Sequence, residues 1–100
     1  MENIEEKATE TIKLRKPMAD GTTEITLDFD KLTGYALIKC EKEAKKEDAT
    51  ISVQILSQIY QARVAAVAAS VKYDDICNLS GNDFAKVTSR VRNFLADLDS

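Results

Sequence analysis

Two cysteines and one pair of adjacent aspartates are the residues whose types could support catalysis or metal binding. The chain has no histidine, which removes Ser-His-Asp catalysis, Cys-His catalysis and every histidine-containing zinc site. Cys40 and Cys77 are too few for a zinc site built from four thiolates, and the sequence places no base beside either one. We expect both to be reduced, buried thiols that pack as small apolar side chains. A single disulfide between them is the alternative.

The acidic pair Asp74-Asp75 has the side chains that general acid-base catalysis or metal binding requires. No third ligand is evident nearby, so we interpret the pair as a solvated helix end or loop. The sequence therefore predicts no catalytic residue, no metal and no cofactor, and we do not expect an enzyme.

The overall charge is mildly acidic, with 14 basic and 17 acidic residues and a net charge of −3. This balance disfavours a nucleic-acid partner. If the chain did bind nucleic acid, Lys86, Arg90 and Arg92 of the last predicted helix would be the candidate phosphate-binding residues. The longest apolar run is interrupted by Arg63, so no membrane-spanning helix is expected. The acidic start of the chain is unlike a secretory signal, and we expect a cytoplasmic protein.

The N-terminal third of the sequence predicts a β-hairpin. Residues 1–10 are too polar to pack, so we expect a flexible acidic tail, followed by a single domain over residues 11–100. Apolar and polar residues alternate at 11–16 and 23–29, which indicates two strands. Asp20-Gly21 between them tolerates the positive φ of a turn. An isolated hairpin is barely stable, so its apolar face must pack on the rest of the chain.

Three helices are predicted after the hairpin, which gives an α+β fold that is mostly α. Residues 33–47 are rich in charge and predict a solvated surface helix, with Asp30 or Thr33 as its N-cap. Residues 72–79 are predicted to be a connection with a short helical turn. Residues 80–98 show apolar side chains at helical spacing after a Ser-x-x-Asp pattern that resembles a capping box.

The most apolar helix is predicted at residues 51–71, where Arg63 is the one charged residue, with Asp48 or Thr50 as its N-cap. A helix that is apolar on most sides is either central in its domain or shared with another molecule. In the first interpretation, the other helices and the hairpin cover this helix. In the second, part of its apolar surface binds a partner chain or a second copy of this chain. The candidate interface residues on this helix and the last one are Ile51, Ile55, Leu56, Ile59, Tyr60, Val64, Val67, Phe84, Val87, Val91 and Phe94.

Four stretches, taken in order, carry a family resemblance. They are the strand at 12–17 followed by Asp20-Gly21, the Leu-Thr-Gly junction at 32–34, the alanine-rich helix, and the C-terminal pattern. That last pattern consists of Asp75-Ile76-Cys77-Asn78-Leu79, Asp83-Phe84, Val87, Val91 and Phe94-Leu95. Over about residues 11–96, the chain resembles the tail assembly chaperones of Mu-like prophages and other long-tailed phages.

This resemblance implies a non-enzymatic protein that works in the bacterial host cytoplasm and is absent from the mature virion. Such proteins bind the tape measure protein, a very long and largely helical chain, and keep it soluble until tube subunits polymerise around it. In many members a frameshift makes a longer form that recruits the tail tube protein. Residues 51–71 or 80–98 are then expected to offer a groove for amphipathic client helices, and self-association would protect that groove when it is empty.

Two other functions remain open from the sequence. A small phage structural or adaptor protein that assembles only with itself would use the same apolar surface. A small regulator that binds nucleic acid through the last helix is less favoured because of the acidic net charge.

Overall fold

The fold is described from a computed structural model over residues 9–97. An N-terminal antiparallel hairpin, strands β1 (Thr9–Lys13) and β2 (Glu24–Asp28), is followed by a 3-10 turn at Phe29–Lys31. Helix α1 (Gly34–Glu47), a 3-10 turn at Gln54–Leu56, and helices α2 (Gln58–Ala69), α3 (Tyr73–Cys77) and α4 (Gly81–Asp97) complete the chain. The predicted α+β, mostly α fold is confirmed, and α3 is the short helical turn expected at 72–79.

The hairpin follows the alternation of its sequence. Ile12 pairs with Ile25 in the antiparallel register, and both are buried together with Leu27. The residues that alternate with them along the strands are exposed, namely Thr11, Lys13, Glu24 and Thr26. Gly21 has a φ of +91° in the connecting turn, where glycine carries no steric penalty. β1 begins at Thr9, two residues earlier than predicted. The rest of the predicted acidic tail, residues 1–8, lies outside the described residues.

Helix α2 lies at the centre of the fold. It packs against α1, α3, α4 and β2, and most of its small side chains are buried. Alanine permits close approach of neighbouring backbones, and it is also the best helix former. The buried residues of α2 are Tyr60, Gln61, Ala62, Val64, Ala65, Ala66 and Ala68. The apolar character of α2 is therefore used mainly inside this chain, as the first of the two interpretations predicted.

The prediction of one helix over residues 51–71 is wrong at both ends. Asp48 and Thr50 do not cap it, because Asp48 Oδ1 accepts hydrogen bonds from Thr50 N at 3.0 Å and Thr50 Oγ1 at 2.6 Å. These bonds form a local turn that competes with helix formation. The helix begins only after Ser57, whose Oγ accepts from Tyr60 N at 3.3 Å. It ends at Ser70, which has a left-handed φ of 58°, a common way to terminate a helix.

The caps of the other long helices match the sequence more closely. Thr33 Oγ1 accepts from Ala36 N at 3.1 Å and so caps α1, as predicted. Ser80 Oγ accepts from Asp83 N at 3.3 Å at the start of α4. The capping box is only half formed, because the Asp83 carboxylate turns toward the hairpin. Phe94 of α4 stacks on Phe29, with ring centroids 4.1 Å apart, and this pair ties α4 to the segment after β2.

Candidate protein-binding surface

The large apolar side chains left exposed fall into two groups and one single residue. Tyr35 and Ile38 lie on α1, Val53 and Leu56 lie in the segment between α1 and α2, and Val67 lies on α2. Their exposed fractions are 88% for Tyr35, 51% for Ile38, 53% for Val53, 65% for Leu56 and 37% for Val67. We call Val53 and Leu56, with the half-buried Ile51 and Ile59, the loop surface.

The segment that carries the loop surface is held at two backbone positions. Lys45 Nζ, from the last turn of α1, donates to the carbonyl oxygen of Ile51 at 3.0 Å. Gln61 Nε2, from α2, donates to the carbonyl oxygen of Ile55 at 2.6 Å. Gln61 is itself buried, so this bond also satisfies a polar side chain inside the fold. These two hydrogen bonds fix the backbone of the segment that carries the exposed Val53 and Leu56 side chains.

Two grooves flank the loop surface, and Leu56 lines both of them. The first, of about 490 Å³, runs between α2 and α4 and has mostly polar walls. The second, of about 460 Å³, follows the segment between α1 and α2. The first groove is lined by Leu56, Gln58, Gln61, Ala85, Thr88, Ser89 and Arg92.

Four of the predicted interface residues serve the core of this chain instead. Tyr60, Val64, Val87 and Val91 are all buried. Helical spacing could not separate them from a partner-facing stripe, because a core face and an interface face have the same period. In this conformation they are not available to another molecule.

The other predicted interface residues are partly or fully accessible. Leu56 and Val67 are exposed, whereas Ile51, Ile55, Ile59, Phe84 and Phe94 are half-buried. The structure brings Ile51, Leu56 and Ile59 together at one groove. Val53, which the sequence analysis did not select, joins them there. Its signal in the sequence was weak because a single valine between serine and glutamine fits a helix stripe as well as a loop.

Tyr35 and Ile38 were also missed as exposed residues. The sequence predicted a solvated surface helix over residues 33–47 but did not indicate which of its apolar side chains would face outward. Tyr60 is buried and Tyr73 is half-buried, but Tyr35 is almost fully exposed. The α1 face that is buried passes through Cys40 and Ala44, which leaves Tyr35 on the outer side of the helix.

The two cysteines occupy different environments, and neither forms a disulfide. Cys40 is buried, as predicted, and removal from water raises the pKa of its thiol. The prediction for Cys77 is wrong, because Cys77 is exposed at the last turn of α3. Its neighbour Ile76 is the residue of that helix which enters the core.

A polar cluster joins the ends of α1 and α3 to α2. Glu47 Oε1 accepts from Arg63 Nη2 at 2.8 Å and from the Tyr73 hydroxyl at 2.9 Å. The Arg63 guanidinium also lies 3.8 Å from the centre of the Tyr73 ring, a cation-π geometry. These donors lower the pKa of Glu47. Burial is the main cause of a raised pKa for Tyr73. The cluster has a structural role in positioning the helices.

Other charged residues make contacts within α3 and between α4 and β1. Asp75 Oδ2 accepts from Lys72 N at 3.1 Å at the start of α3. Arg90 of α4 pairs with Glu10 of β1 at 3.0 Å. Within residues 9–97, no three carboxylate or cysteine side chains are grouped so as to hold a metal ion. In the same part of the chain no helix has both the length and the apolar character needed to cross a bilayer.

Comparison with protein-family models, with curated proteins and with solved structures found no match. The function is therefore proposed from the surfaces described above and from the sequence resemblance. The loop surface combines the exposed side chains of Val53 and Leu56 with two adjacent grooves, and the exposed Val67 lines another groove, of about 280 Å³, between α1 and α2.

Proposed function

We propose that this chain is a non-catalytic tail assembly chaperone of a long-tailed phage. It binds the tape measure protein in the host cytoplasm and keeps that protein soluble until the tail tube assembles around it. The sequence resemblance supplies the identity of the client. The observation that carries the proposal is the exposure of Leu56, which lines both the α2–α4 groove and the neighbouring groove that also contains the exposed Val53.

The chemistry of the groove suits an amphipathic helix. Such a helix binds with its apolar residues in one stripe and its polar residues at the rim. Leu56 offers an apolar contact, while Gln58, Ser89 and Arg92 offer hydrogen-bonding groups along the walls. A client helix that covers Leu56 and Val53 removes apolar area from water, at about 25 cal/mol for each Å² buried.

Co-expression with the tape measure protein from the same phage tests this function. We expect the tape measure protein to become soluble and to co-elute with this chain in size-exclusion chromatography with light scattering. Leu56→Asp is expected to abolish co-elution, because a charge would be buried without a partner. Tyr35→Asp is the matched control, since it places the same charge on an exposed apolar position of α1 and is expected to leave co-elution unchanged.

Two outcomes would contradict the proposal. One is a tape measure protein that stays insoluble while this chain elutes alone. The other is loss of co-elution with Tyr35→Asp but not with Leu56→Asp, which would place the client elsewhere. If this chain instead forms a stable oligomer that Leu56→Asp dissociates, and no client binds, the self-assembling adaptor replaces the chaperone.

A further inference from the structure

Strand β2 has an outer edge whose backbone groups are not used within the hairpin. Leu14 N donates to Thr23 O at 2.9 Å, which makes these two residues a hydrogen-bonded pair of the antiparallel ladder. Such pairs alternate with non-bonded pairs, so the register makes Ile12 and Ile25 the next bonded pair. The N–H and C=O groups of Glu24 and Thr26 must then point away from β1.

A groove lies directly along this outer edge. Its volume is about 300 Å³, and it runs between β2, the hairpin turn and the C-terminal end of α2. Ala69 and Val71, which are half-buried, provide apolar surface in it. The residues that line it are Met18, Ala19, Asp20, Thr22, Glu24, Ile25, Thr26, Ala69, Val71 and Asp75. Within residues 9–97, no hydrogen bond engages the outward backbone groups of Glu24 and Thr26. An added strand would therefore meet free N–H and C=O groups as well as apolar side chains, and strand addition uses both.

The acidic side chains of the groove favour extended segments that carry positive charge. Asp20, Glu24 and Asp75 are among its lining residues, and no lysine or arginine is. Asp20 is held in place by a hydrogen bond from Thr22 N at 2.9 Å. Three carboxylates beside an unpaired strand edge are complementary to a segment that carries basic side chains.

The outer edge of β1 provides a contrast. Lys13 lies on that strand, and no residue of β1 lines the groove beside β2. Just beyond β1, the edge is closed by the Asp83 carboxylate, which accepts from Arg15 N and Lys16 N. The two edges of one hairpin therefore differ in charge, in adjacent apolar surface and in access.

We propose that the outer edge of β2 binds an extended, basic segment of a partner protein as a third, hydrogen-bonded strand. This binding uses a different surface from the loop surface and does not depend on the proposed function. Natural proteins usually protect free strand edges with lysine, proline or a covering loop. Glu24–Asp28 contain neither lysine nor proline, and the edge borders a groove.

The test uses the full chain and a short peptide of alternating lysine and valine with blocked ends. Amide hydrogen exchange, followed by NMR, reports each edge separately. We expect exchange at Glu24 and Thr26 to slow at least about tenfold when the peptide binds, since each gains a hydrogen bond. Exchange at Thr11 and Lys13 is expected to stay unchanged. A peptide with glutamate in place of lysine is expected not to bind.

Matched proline variants separate the two edges further. Thr26→Pro removes one outward N–H from β2 and Thr11→Pro removes the equivalent group from β1, while both break the same Thr11–Thr26 hydroxyl contact. We expect Thr26→Pro to weaken peptide binding by about tenfold or more and Thr11→Pro to have little effect. Glu24→Gln leaves the backbone intact and is expected to weaken binding of the basic peptide even if a proline variant does not fold.

Three results of the peptide experiment would overturn the proposal. They are protection of Thr11 and Lys13 instead of Glu24 and Thr26, equal binding of the glutamate peptide, and no binding of either peptide. Concentration-dependent protection of Glu24 and Thr26 without peptide would assign the edge to a second copy of this chain, which also overturns it. Leu56→Asp is expected to leave peptide binding unchanged, so failure here is distinguishable from failure of the chaperone function.

Discussion

The carboxylate of Asp83 accepts hydrogen bonds from the backbone N–H of Arg15 at 3.0 Å through both of its oxygens. Lys16 N and Ser80 Oγ donate to Oδ2 of the same carboxylate, at 3.1 Å and 3.0 Å. The first turn of α4 is thereby joined to the chain leaving β1, across 68 positions of sequence. Asp83 is fully buried, and a buried carboxylate is tolerated where donors surround it in this way.

Replacing this carboxylate is expected to destabilise the fold. Asp83→Asn keeps the shape of the side chain, but its amide NH2 group must face N–H donors in place of an oxygen. We expect the Tm to fall by at least about 5 °C, measured by circular dichroism. Asp74→Asn, at an exposed position of α3, is the control and is expected to leave the Tm nearly unchanged. Equal Tm values for the two variants would contradict the role of Asp83.

The same carboxylate makes stability depend on pH. Hydrogen bonds from the Arg15 backbone, followed by those from Lys16 and Ser80, lower the pKa of Asp83 below its ordinary value of 3.8. A lowered pKa in the folded state contributes stability that is present above pH 3.8 and is lost as the pH falls further. Denaturant unfolding of wild type and Asp83→Asn is therefore expected to converge as the pH is lowered. A constant difference would contradict this assignment.

The two thiols are expected to react at very different rates. Cys77 is exposed and Cys40 is buried, with the pKa of the Cys40 thiol raised by burial. A thiol reagent at pH 8 should modify one cysteine at once and the second only as the chain unfolds. Cys77→Ser should remove the fast phase and Cys40→Ser the slow phase. If both cysteines of the wild type react in fast phases, Cys40 is accessible in the folded chain and the prediction is wrong.

Ala65 is a test of how closely α2 packs on its neighbours. It is fully buried, so a larger side chain has no free volume to occupy. We expect Ala65→Leu to lower the free energy of unfolding by about 1–3 kcal/mol, measured with urea. Val67→Leu adds bulk to the same helix at an exposed position and is expected to change stability by less than about 0.5 kcal/mol.

The ring and the hydroxyl of Tyr73 make different contacts: the ring lies under the Arg63 guanidinium, and the hydroxyl donates to Glu47. Tyr73→Phe keeps the ring beneath Arg63 and removes only the bond to Glu47, so we expect a loss of about 1 kcal/mol or less. Tyr73→Leu also removes the cation-π contact and should cost about 0.5–1 kcal/mol more. Urea unfolding of both variants measures the difference. A larger loss for Tyr73→Phe than for Tyr73→Leu would contradict this division.

The parts of the fold that depend on local chemistry were predictable. The hairpin follows from period-two alternation and Asp20-Gly21, and α1 begins where Thr33 can cap it. The N-terminal end of α2 was not predictable, because Asp48, Thr50 and Ser57 are all favoured N-cap residue types. Contacts made elsewhere decide between them, including the bond from Gln61 to the Ile55 carbonyl.

The candidate surface was predictable only in part, for a related reason. Apolar periodicity located Leu56 and its neighbours but could not tell which side of each helix meets the rest of the chain. Val64 and Val91 therefore entered the predicted interface, although both are buried. Asp83 was predicted to act within its own helix, because nothing near it in sequence signals that its partners lie at Arg15 and Lys16.

Two contacts affect the order in which the fold forms during translation: the stacking of Phe94 on Phe29, and the hydrogen bonds that the Arg15 N–H donates to the Asp83 carboxylate. Both links run from α4 to the hairpin region, and α4 leaves the ribosome after α1, α2 and α3. A two-stranded hairpin has little stability alone, so the first strands emerge well before their packing partner exists. The nascent chain therefore acquires its native hairpin packing late, once α4 has been synthesised.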